Sequence, residues 1–265
     1  MKKIFTLLCV ASLVALACNR EPEPEPGPTP GNDPAIETDG LIPNAVTDYD
    51  GNVYDAVRIG QQVWMASNLH VKHFANGEEI PVGGSNTSLT QPFLYYPDEN
   101  FDVDKYGYFY NWPAAVKRAG SSEANPSGTQ GVCPNGWHLP SDAEWEQLRT
   151  YCANKDEFVC ETYPTYSTYA SCLASNSEWE SCNVNCSPGY DLSSNNASGF
   201  NAFPAGLHFG HDGYIPVGTE ACFWGATGCD GCTYAYCHYL FNNSNMLNRG
   251  RNDKDNGYSV RCVKD

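Results

Sequence analysis

One segment in the second half of the chain constrains the fold more than any other. Residues 133–148 read Cys-Pro-Asn-Gly-Trp-His-Leu-Pro-Ser-Asp-Ala-Glu-Trp-Glu-Gln-Leu. Ser141 is a favoured helix N-cap, and Glu144 three residues later has the spacing of a capping box, so we predict that a helix begins here. Trp145 and Leu148 would then share one face of that helix.

The end of the chain has the alternation of a strand. Residues 257–263 place Tyr258, Val260 and Cys262 on one side and Ser259, Arg261 and Val263 on the other. This period of two predicts a strand with one buried side. Each of the two segments contains a cysteine, so a disulfide could join them.

The N-terminus has the features of an export signal. Lys2 and Lys3 precede the apolar run 4–16 and the small residue Ala17. Residues 15–18, Ala-Leu-Ala-Cys, resemble a bacterial lipoprotein box, which predicts cleavage before Cys18 and attachment of a lipid to its sulfur. The alternative is an ordinary secretory signal with an incidental cysteine.

A proline-rich segment follows the signal. Residues 21–34 alternate glutamate and proline and then continue with glycine and proline. Such a sequence cannot bury apolar surface, so we predict an extended, disordered tether over residues 19–44 that holds the domain away from a membrane.

The charge of the chain argues against anionic partners. The formal net charge is −16, and removal of Lys2 and Lys3 with the signal takes it to about −18. No basic cluster opposes this acidity. Nucleic acid and anionic lipid are therefore expected to be poor partners.

Residues 45–265 show no second linker and predict a single domain of about 220 residues. The chain has 13 cysteines, and 11 are left once Cys9 and Cys18 are set aside. In an exported protein these should be largely disulfides, with at least one thiol free or paired between molecules because the number is odd. Many of them fall in residues 152–198, which we interpret as a disulfide-rich insertion.

The pattern elsewhere predicts an α+β domain with two main helices and antiparallel sheets. Residues 46–49 and 53–59 flank an Asp-Gly turn and read as a hairpin, followed by a strand at 63–65. Pro113 suits the first turn of a short helix. A second group of antiparallel strands is predicted in the region 221–263.

Six ordered blocks of this sequence resemble the Fibrobacter succinogenes major paralogous domain, a family found in exported lipoproteins of Bacteroidetes and Fibrobacteres. The blocks are residues 46–54, 59–69, 106–112, 133–145, 198–206 and 256–265. This resemblance implies an exported, lipid-anchored protein at the outer membrane or cell surface of a Gram-negative bacterium.

A more distant resemblance concerns the architecture. Several residues resemble the helix signature of the C-type lectin fold, and residues 138–146 resemble the corresponding part of formylglycine-generating enzymes. In that fold a cysteine near the helices is tied to one in the last strand, so the resemblance implies a disulfide between Cys133 and Cys262. The matching residues are Trp112, Ala115, Cys133, Gly136, Leu139, Glu144 and Leu148.

Two groups of residues could bind a transition metal. Four cysteines, Cys222, Cys229, Cys232 and Cys237, could form a zinc site or a redox pair, but export favours disulfides. His208 and His211 lie in a glycine-rich stretch that we expect to be a surface turn. His138 is best interpreted as a structural histidine.

Two acidic groups are calcium candidates, Asp98, Asp102 and Asp104 in one loop and Asp253 and Asp255 in another. Neither has the spacing of an EF-hand, and the sugar-binding calcium motif of C-type lectins is incomplete here. We therefore expect solvated acidic loops and no resident metal or other cofactor.

Aromatic and amide side chains are mixed in the region 223–256, and they suit a sugar or a peptide. The predicted ligand-binding residues are Trp224, Tyr234, Tyr236, Asn242, Asn243, Asn245, Asn248 and Asn252. The alternative is that most of the aromatic side chains belong to the core of a half-buried sheet.

These observations predict an exported cell-surface protein whose C-type-lectin-like domain binds a glycan or another surface protein. No nucleophile elbow or other catalytic constellation is present, so an enzyme is not the leading expectation. An oxidase related to formylglycine-generating enzymes and a structural component of the cell envelope are the alternatives. The oxidase would need a reactive thiol and copper.

Overall fold

The computed structural model of the protein describes residues 39–97 and 99–265. The predicted signal peptide, Cys18 and residues 19–38 of the predicted tether lie outside these residues, as does Asp98. The described part is an α+β fold of small, mostly antiparallel sheets, which confirms the predicted class.

Fourteen strands and four α-helices occur in the described residues. The strands are β1 (Gly40–Thr47), β2 (Val53–Ile59), β3 (Gln62–Met65), β4 (Leu94–Tyr95), β5 (Phe109–Tyr110), β6 (Trp137–His138), β7 (Glu161–Thr162), β8 (Ser167–Thr168), β9 (Leu207–His208), β10 (Tyr214–Ile215), β11 (Glu220–Gly228), β12 (Tyr234–Phe241), β13 (Asn248–Asp253) and β14 (Val263–Lys264). The helices are α1 (Val103–Tyr106), α2 (Trp112–Ala115), α3 (Asp142–Asn154) and α4 (Ala170–Leu173).

The largest sheet has five strands in the order β1-β2-β3-β14-β6. β1 and β2 form the predicted hairpin, and the amide of Gly51 donates to the carbonyl of Asp48 in its turn. Side chains of β3 alternate between the two faces, with Met65 in one apolar cluster and Trp64 in another. The sheet is therefore covered on both sides.

The domain begins earlier than the sequence indicated. We predicted a tether as far as residue 44 and a domain from residue 45, whereas β1 starts at Gly40, which pairs with Arg58. Asp39 is held as well, since its carboxylate accepts hydrogen bonds from the amide of Gly60 at 2.7 Å and the hydroxyl of Tyr151 at 2.8 Å. Pairing of the backbone with β2 extends the strand across residues that lack a strand pattern of their own.

A second sheet is the antiparallel meander β11-β12-β13. The side chains of β11 alternate between two clusters, with Phe223 in the cluster around α3 and Trp224 in the other. The register between β12 and β13 runs without a break from Tyr234 opposite Asp253 to Tyr239 opposite Asn248. Both sides of β11 are covered, whereas Arg249 and Arg251 on β13 are exposed.

The last segment of the chain joins the two sheets. Tyr258 exchanges backbone hydrogen bonds with Tyr110, and the amide of Ser259 donates to the carbonyl of Cys222. Further along, the carbonyl of Cys262 accepts from the amide of Met65 at 3.0 Å. Residues 257–264 thus form a central seam between separate parts of the domain.

The prediction that this segment has one buried side is wrong, because all of residues 258–263 are buried. The charged member, Arg261, donates hydrogen bonds to the side-chain oxygen of Asn68 and to the carbonyls of Met65, Phe200 and Asn201, at distances of 2.5–3.0 Å. Burial lowers the pKa of its guanidinium to about 9. Four oxygen acceptors replace the water that an exposed arginine would bind.

The helix predicted at Ser141 is confirmed as α3, with a complete capping box. The amide of Glu144 donates to Ser141 Oγ, and a carboxylate oxygen of Glu144 accepts from the amide of Ser141 at 2.9 Å. Trp145 and Leu148 face the core as expected. The prediction of two main helices is wrong, since α3 spans 13 residues and the other three described helices have four each.

A disulfide joins Cys133 and Cys262, the pair that the family resemblance implied, and closes a sequence separation of 129. A second disulfide, between Cys160 and Cys186, has a sequence separation of 26. It lies within residues 152–198, which we call the cysteine-rich segment. The sulfur atoms of Cys229 and Cys232 also lie at bonding distance in the turn between β11 and β12. Among the described cysteines, Cys152, Cys172, Cys182, Cys222 and Cys237 are unbridged.

The disulfide of the central seam should dominate the stability that cross-links contribute. Replacing both Cys133 and Cys262 with alanine is expected to lower the free energy of unfolding by roughly 2–5 kcal/mol. Replacing Cys160 and Cys186 is the matched control, and its smaller loop predicts a loss that is smaller by about 1.4 kcal/mol on chain entropy alone. Urea unfolding of the purified proteins measures both. Equal losses would show that loop closure does not set the difference.

Candidate ligand-binding face

Trp224 was predicted to bind ligand, but the structure places it in the core. Its side chain is wholly buried, and its indole Nε1 donates to the carbonyl of Tyr110 at 2.7 Å. The ring also lies 4.4 Å from the ring of Tyr258, measured between centroids. The prediction is wrong for this residue because the position lies on the side of β11 that faces the central seam.

The pairing of β12 with β13 divides the other predicted residues between two faces. Tyr234 and Tyr236 lie on the outer face, whereas Asn248 and Asn252 belong to the opposite face. There Asn252 Nδ2 donates to the hydroxyl of Tyr239 at 2.5 Å. The tyrosines and these two asparagines therefore do not form one site.

The turn between β12 and β13 carries the remaining predicted amides. The carbonyl of Asn242 accepts a hydrogen bond from the amide of Gly189, and the carbonyl of Asn245 accepts from the amide of Tyr169. Asn243 is exposed. These contacts tie the turn to the cysteine-rich segment and give Asn242 and Asn245 a structural role.

The outer face of β12 and β13 pairs two half-buried tyrosines with two exposed arginines. We call Tyr234, Tyr236, Arg249 and Arg251 the tyrosine–arginine face. The guanidinium of Arg249 lies 3.9 Å from the ring centroid of Tyr236. That of Arg251 lies 5.0 Å from the same centroid and 5.3 Å from that of Tyr234. These contacts hold both cations against aromatic rings.

The two arginines differ in their charge compensation. Arg249 Nε lies 2.6 Å from Oδ1 of Asp142, the first residue of α3. This carboxylate raises the pKa of Arg249. Arg251 donates from Nη2 to the hydroxyl of Tyr236 at 2.8 Å, and no carboxylate lies within ion-pair distance of it in the described part of the chain. Arg251 therefore presents an uncompensated cation.

His238 lies on the same side of the sheet as this face, directly opposite Arg249. Its ring is wholly buried and stacks on Trp145 with a centroid distance of 4.7 Å. Neither ring nitrogen has a hydrogen-bond partner among the described residues. Burial, assisted by the charges of Arg149 and Arg249, lowers the pKa of His238 well below its ordinary value, so the ring is neutral at pH 7.

Arg249 and Arg251 were not among the sequence-predicted binding residues. The signal was nevertheless present, because Tyr-x-Tyr at 234–236 and Arg-x-Arg at 249–251 both have the period of a strand. The sequence did not reveal that these residues share a face, because the register that places Tyr236 opposite Arg251 is determined only by the pairing of β12 with β13.

The acidic residues considered for calcium do not converge. Asp102 caps α1 by accepting from the amide of Lys105, and Asp104 is exposed. Asp253 ends β13 and accepts from the hydroxyl of Thr233 at 2.8 Å, while Asp255 is half-buried in the turn that follows. Among residues 39–97 and 99–265, no three histidine, cysteine, aspartate or glutamate side chains gather closely enough to hold a metal ion.

The four cysteines considered for zinc or redox chemistry fall into two pairs. Cys229 and Cys232 are bonded to each other in a turn, whereas Cys222 and Cys237 are buried in the core. Burial raises the pKa of the Cys222 thiol well above its ordinary value and that of Cys237 to about 12. Such thiols are poor nucleophiles at neutral pH.

A groove of about 530 Å³ runs between the β2–β3 turn and α3. Its polar side chains include Gln61, Gln147 and Thr150, and its one carboxylate, Glu146, forms an ion pair with Arg149. The groove thus offers neutral polar groups, whereas the tyrosine–arginine face offers both aromatic rings and an unpaired cation.

His138 occupies a structural position. Its Nε2 lies 2.6 Å from a carboxylate oxygen of Glu144, and its Nδ1 lies 2.7 Å from one of Asp265. Burial by itself would lower the pKa of His138, but the hydrogen bonds to Glu144 and Asp265 and their negative charges outweigh it and raise the pKa. Both nitrogens are occupied, as expected for a structural histidine.

The described domain is thus an α+β fold of small antiparallel sheets, cross-linked by disulfides and bearing an aromatic and cationic face. The family model described as the Fibrobacter succinogenes major domain matches residues 57–264. The chain belongs to this family, as its six sequence blocks predicted. No curated protein and no solved structure matches the chain.

The raised pKa of His138 predicts a pH dependence of stability. The stabilisation from the protonated ring is fully present below the pKa of the unfolded chain, about 6.5, and is lost as the pH rises through the higher folded value. The difference in free energy of unfolding between the native protein and His138→Gln should therefore be largest near pH 6 and shrink by pH 9. Urea unfolding across this range measures it. A difference that grows with pH would contradict the assignment.

Proposed function

We propose that this protein is an exported, lipid-anchored surface protein whose folded domain binds a glycan through the tyrosine–arginine face. The observation that carries the proposal is the open face of β12 and β13, where Tyr236 stands opposite Arg251 and beside Arg249. Half-buried tyrosines offer rigid apolar area with a polar tip. That combination suits the apolar and hydroxylated sides of a sugar ring.

The arginines add directional hydrogen bonding. A guanidinium has five N–H donors, and Arg251 uses one of them on the hydroxyl of Tyr236. Its donors toward solvent are held in place by the aromatic rings below, so less side-chain entropy is lost when a ligand binds. The face can therefore orient ring hydroxyl groups of a glycan or polar groups of a surface protein.

The anchor is proposed from the sequence. The lipoprotein box at Cys18 and the glutamate–proline segment after it support attachment to a membrane through lipid alone, at the outer membrane or cell surface of a Gram-negative bacterium. In the described residues no helix has the length and apolar character to cross a bilayer.

Lipid attachment can be tested directly. Cells that produce the protein and grow with labelled palmitate should incorporate the label, and Cys18→Ala should abolish it and release the protein from the membrane fraction. Cys9→Ala is the matched control, because Cys9 also lies in the predicted signal but outside the box. Label that persists in Cys18→Ala would remove the anchor from the proposal.

We also propose that the domain has the C-type-lectin-like arrangement. The support is the disulfide between Cys133, which precedes the capped helix α3, and Cys262, which precedes β14. In this arrangement the tyrosine–arginine face lies on the sheet of β11, β12 and β13, and α3 and β14 support that sheet.

Binding without catalysis is favoured over an oxidase related to formylglycine-generating enzymes. That alternative needs a reactive thiolate, whereas burial raises the pKa values of three of the five unbridged thiols in the described residues, Cys172, Cys222 and Cys237. High pKa values keep these sulfurs protonated and inert at neutral pH.

The binding proposal predicts the effect of single substitutions. Tyr236→Ala and Arg251→Ala should each weaken binding to the glycans selected on an array by at least about tenfold, because each removes an aromatic or a charge-assisted contact. Tyr190→Ala is the matched control, since this exposed tyrosine lies in the cysteine-rich segment. Biolayer interferometry on the selected glycans measures the dissociation constants.

Two results would count against the proposal. Unchanged binding in both face variants would move the site elsewhere on the domain. Silence of the native protein across glycans and cell-surface extracts would overturn adhesion itself. Circular dichroism of each variant separates loss of binding from loss of folding.

A further inference from the structure

We propose that the glycan bound by the tyrosine–arginine face is acidic, carrying carboxylate groups as uronic-acid sugars do, and that Asp142 competes with the ligand carboxylate for Arg249. This inference rests on the proposed function and names the ligand class and a residue that sets specificity. It is carried by the pairing of Arg249 with Asp142, the unpaired charge of Arg251 and the buried ring of His238.

The charge of the face differs from that of the whole chain. The chain has a formal net charge of −16, so an acidic ligand is repelled by the protein as a whole. The tyrosine–arginine face sets two guanidinium groups on one strand, two residues apart, against that background. The two guanidinium groups therefore attract an acidic ligand, whereas a neutral glycan gains only the aromatic and hydroxyl contacts.

Arg251 can donate hydrogen bonds to a ligand carboxylate. Arg251 is exposed, uses Nη2 on Tyr236 and has no carboxylate partner among the described residues. A planar guanidinium binds a carboxylate through two parallel hydrogen bonds, which are stronger than those to a neutral hydroxyl. Arg251 thus supplies the first contact with a ligand carboxylate.

Asp142 is the present partner of Arg249. Its Oδ1 lies 2.6 Å from Arg249 Nε, and its backbone amide donates to Thr227 Oγ1 at 2.9 Å, which holds the residue at the start of α3. The Asp142 side chain is 24% exposed, and that of Arg249 is 36% exposed. A carboxylate of the protein therefore occupies, within reach of solvent, the position that a ligand carboxylate would take on Arg249.

His238 lies opposite Arg249 on the same side of the sheet, covered by Trp145 and next to Asp142. Nε2 of His238 lies 3.6 Å from the same oxygen of Asp142, too far for a hydrogen bond, and both ring nitrogens are without partners among the described residues. A wholly buried polar ring that is unsatisfied is costly unless something else completes its hydrogen bonding. A ligand oxygen that replaces the Asp142 carboxylate and sits deeper would provide that partner.

Competition by Asp142 has a defined consequence. An acidic glycan must displace one ion pair before Arg249 can bind it, while a neutral glycan gains nothing from that displacement. Removing the charge of Asp142 should therefore strengthen binding of acidic ligands alone. The expected gain is modest, because partly exposed ion pairs are weak.

The test uses the full-length protein and matched probes. These are oligomers of galacturonate, mannuronate and glucuronate, each beside its carboxyl-reduced neutral form, with dextran sulfate beside dextran and with poly-glutamate. Isothermal titration calorimetry gives a dissociation constant for each. The native protein should bind at least one uronic oligomer more tightly than its reduced form by at least about fivefold, and Arg251→Ala should remove that preference.

Asp142→Asn is the decisive variant, and Asp253→Asn is its matched control. Both remove one negative charge near an arginine of the face. Asp253 lies two residues from Arg251 on the same side of β13, but it contacts Thr233 and forms no ion pair with Arg249. Asp142→Asn should lower the dissociation constant for the preferred acidic oligomer by roughly threefold to tenfold and leave the neutral form unchanged. Asp253→Asn should change both by less than about twofold. Thermal unfolding of each variant verifies that α3 is retained.

The outcomes separate this inference from the proposed function. Equal binding of acidic and reduced oligomers through Tyr236 and Arg251 would keep glycan binding and overturn the acidic class. Equal gains in Asp142→Asn and Asp253→Asn would overturn competition in favour of general charge. Tighter binding of poly-glutamate or dextran sulfate than of every uronic oligomer would overturn the sugar carboxylate as the ligand. Binding to none of the probes, together with silence on the glycan array, would overturn both proposals.

Discussion

The disulfide between Cys133 and Cys262 is the constraint on which the rest of the structure depends, because it holds the central seam in place. Residues 257–264 bond to strands that lie far apart in sequence, among them β3, β5 and β11. Three strands bonded to this segment, β5, β6 and β9, have only two residues each and could not persist alone. The buried Arg261 adds hydrogen bonds to Met65, Phe200 and Asn201. The central seam therefore connects segments that no local interaction would hold together.

The candidate site is linked to this frame through α3. The capping box of Ser141 and Glu144 determines where the helix begins, and the first residue of the helix, Asp142, reaches Arg249 on β13. The same Glu144 also binds His138, which in turn binds Asp265. A motif that identifies the family therefore also places one carboxylate beside the proposed ligand face. The first turn of α3 thus serves both parts of the domain. Glu144 binds His138 in the frame, and Asp142 binds Arg249 on the proposed ligand face.

Local patterns predicted what depends on near neighbours. The Asp-Gly turn predicted the hairpin of β1 and β2, the capping box predicted α3, and the six blocks predicted the family. Patterns failed where distant parts of the chain intervene. The start of β1 at Gly40 comes from pairing with β2, and the seam is buried on both sides because two sheets enclose it. Tryptophan is a residue type that suits a sugar-binding site, but Trp224 is buried against the central seam.

The α+β class, the family and the positions of the capped helix and the main strands can be predicted from the amino-acid order, since they follow from periodicity and from contacts within a few residues. Which side chains share a surface depends on how distant strands pair. The register of β12 and β13 places Tyr236 opposite Arg251, separates both from Asn248 and Asn252, and sets Arg249 against Asp142 from another element. A strand pattern states that alternate residues share a face, but only the pairing of strands and the layers above them determine which face stays open.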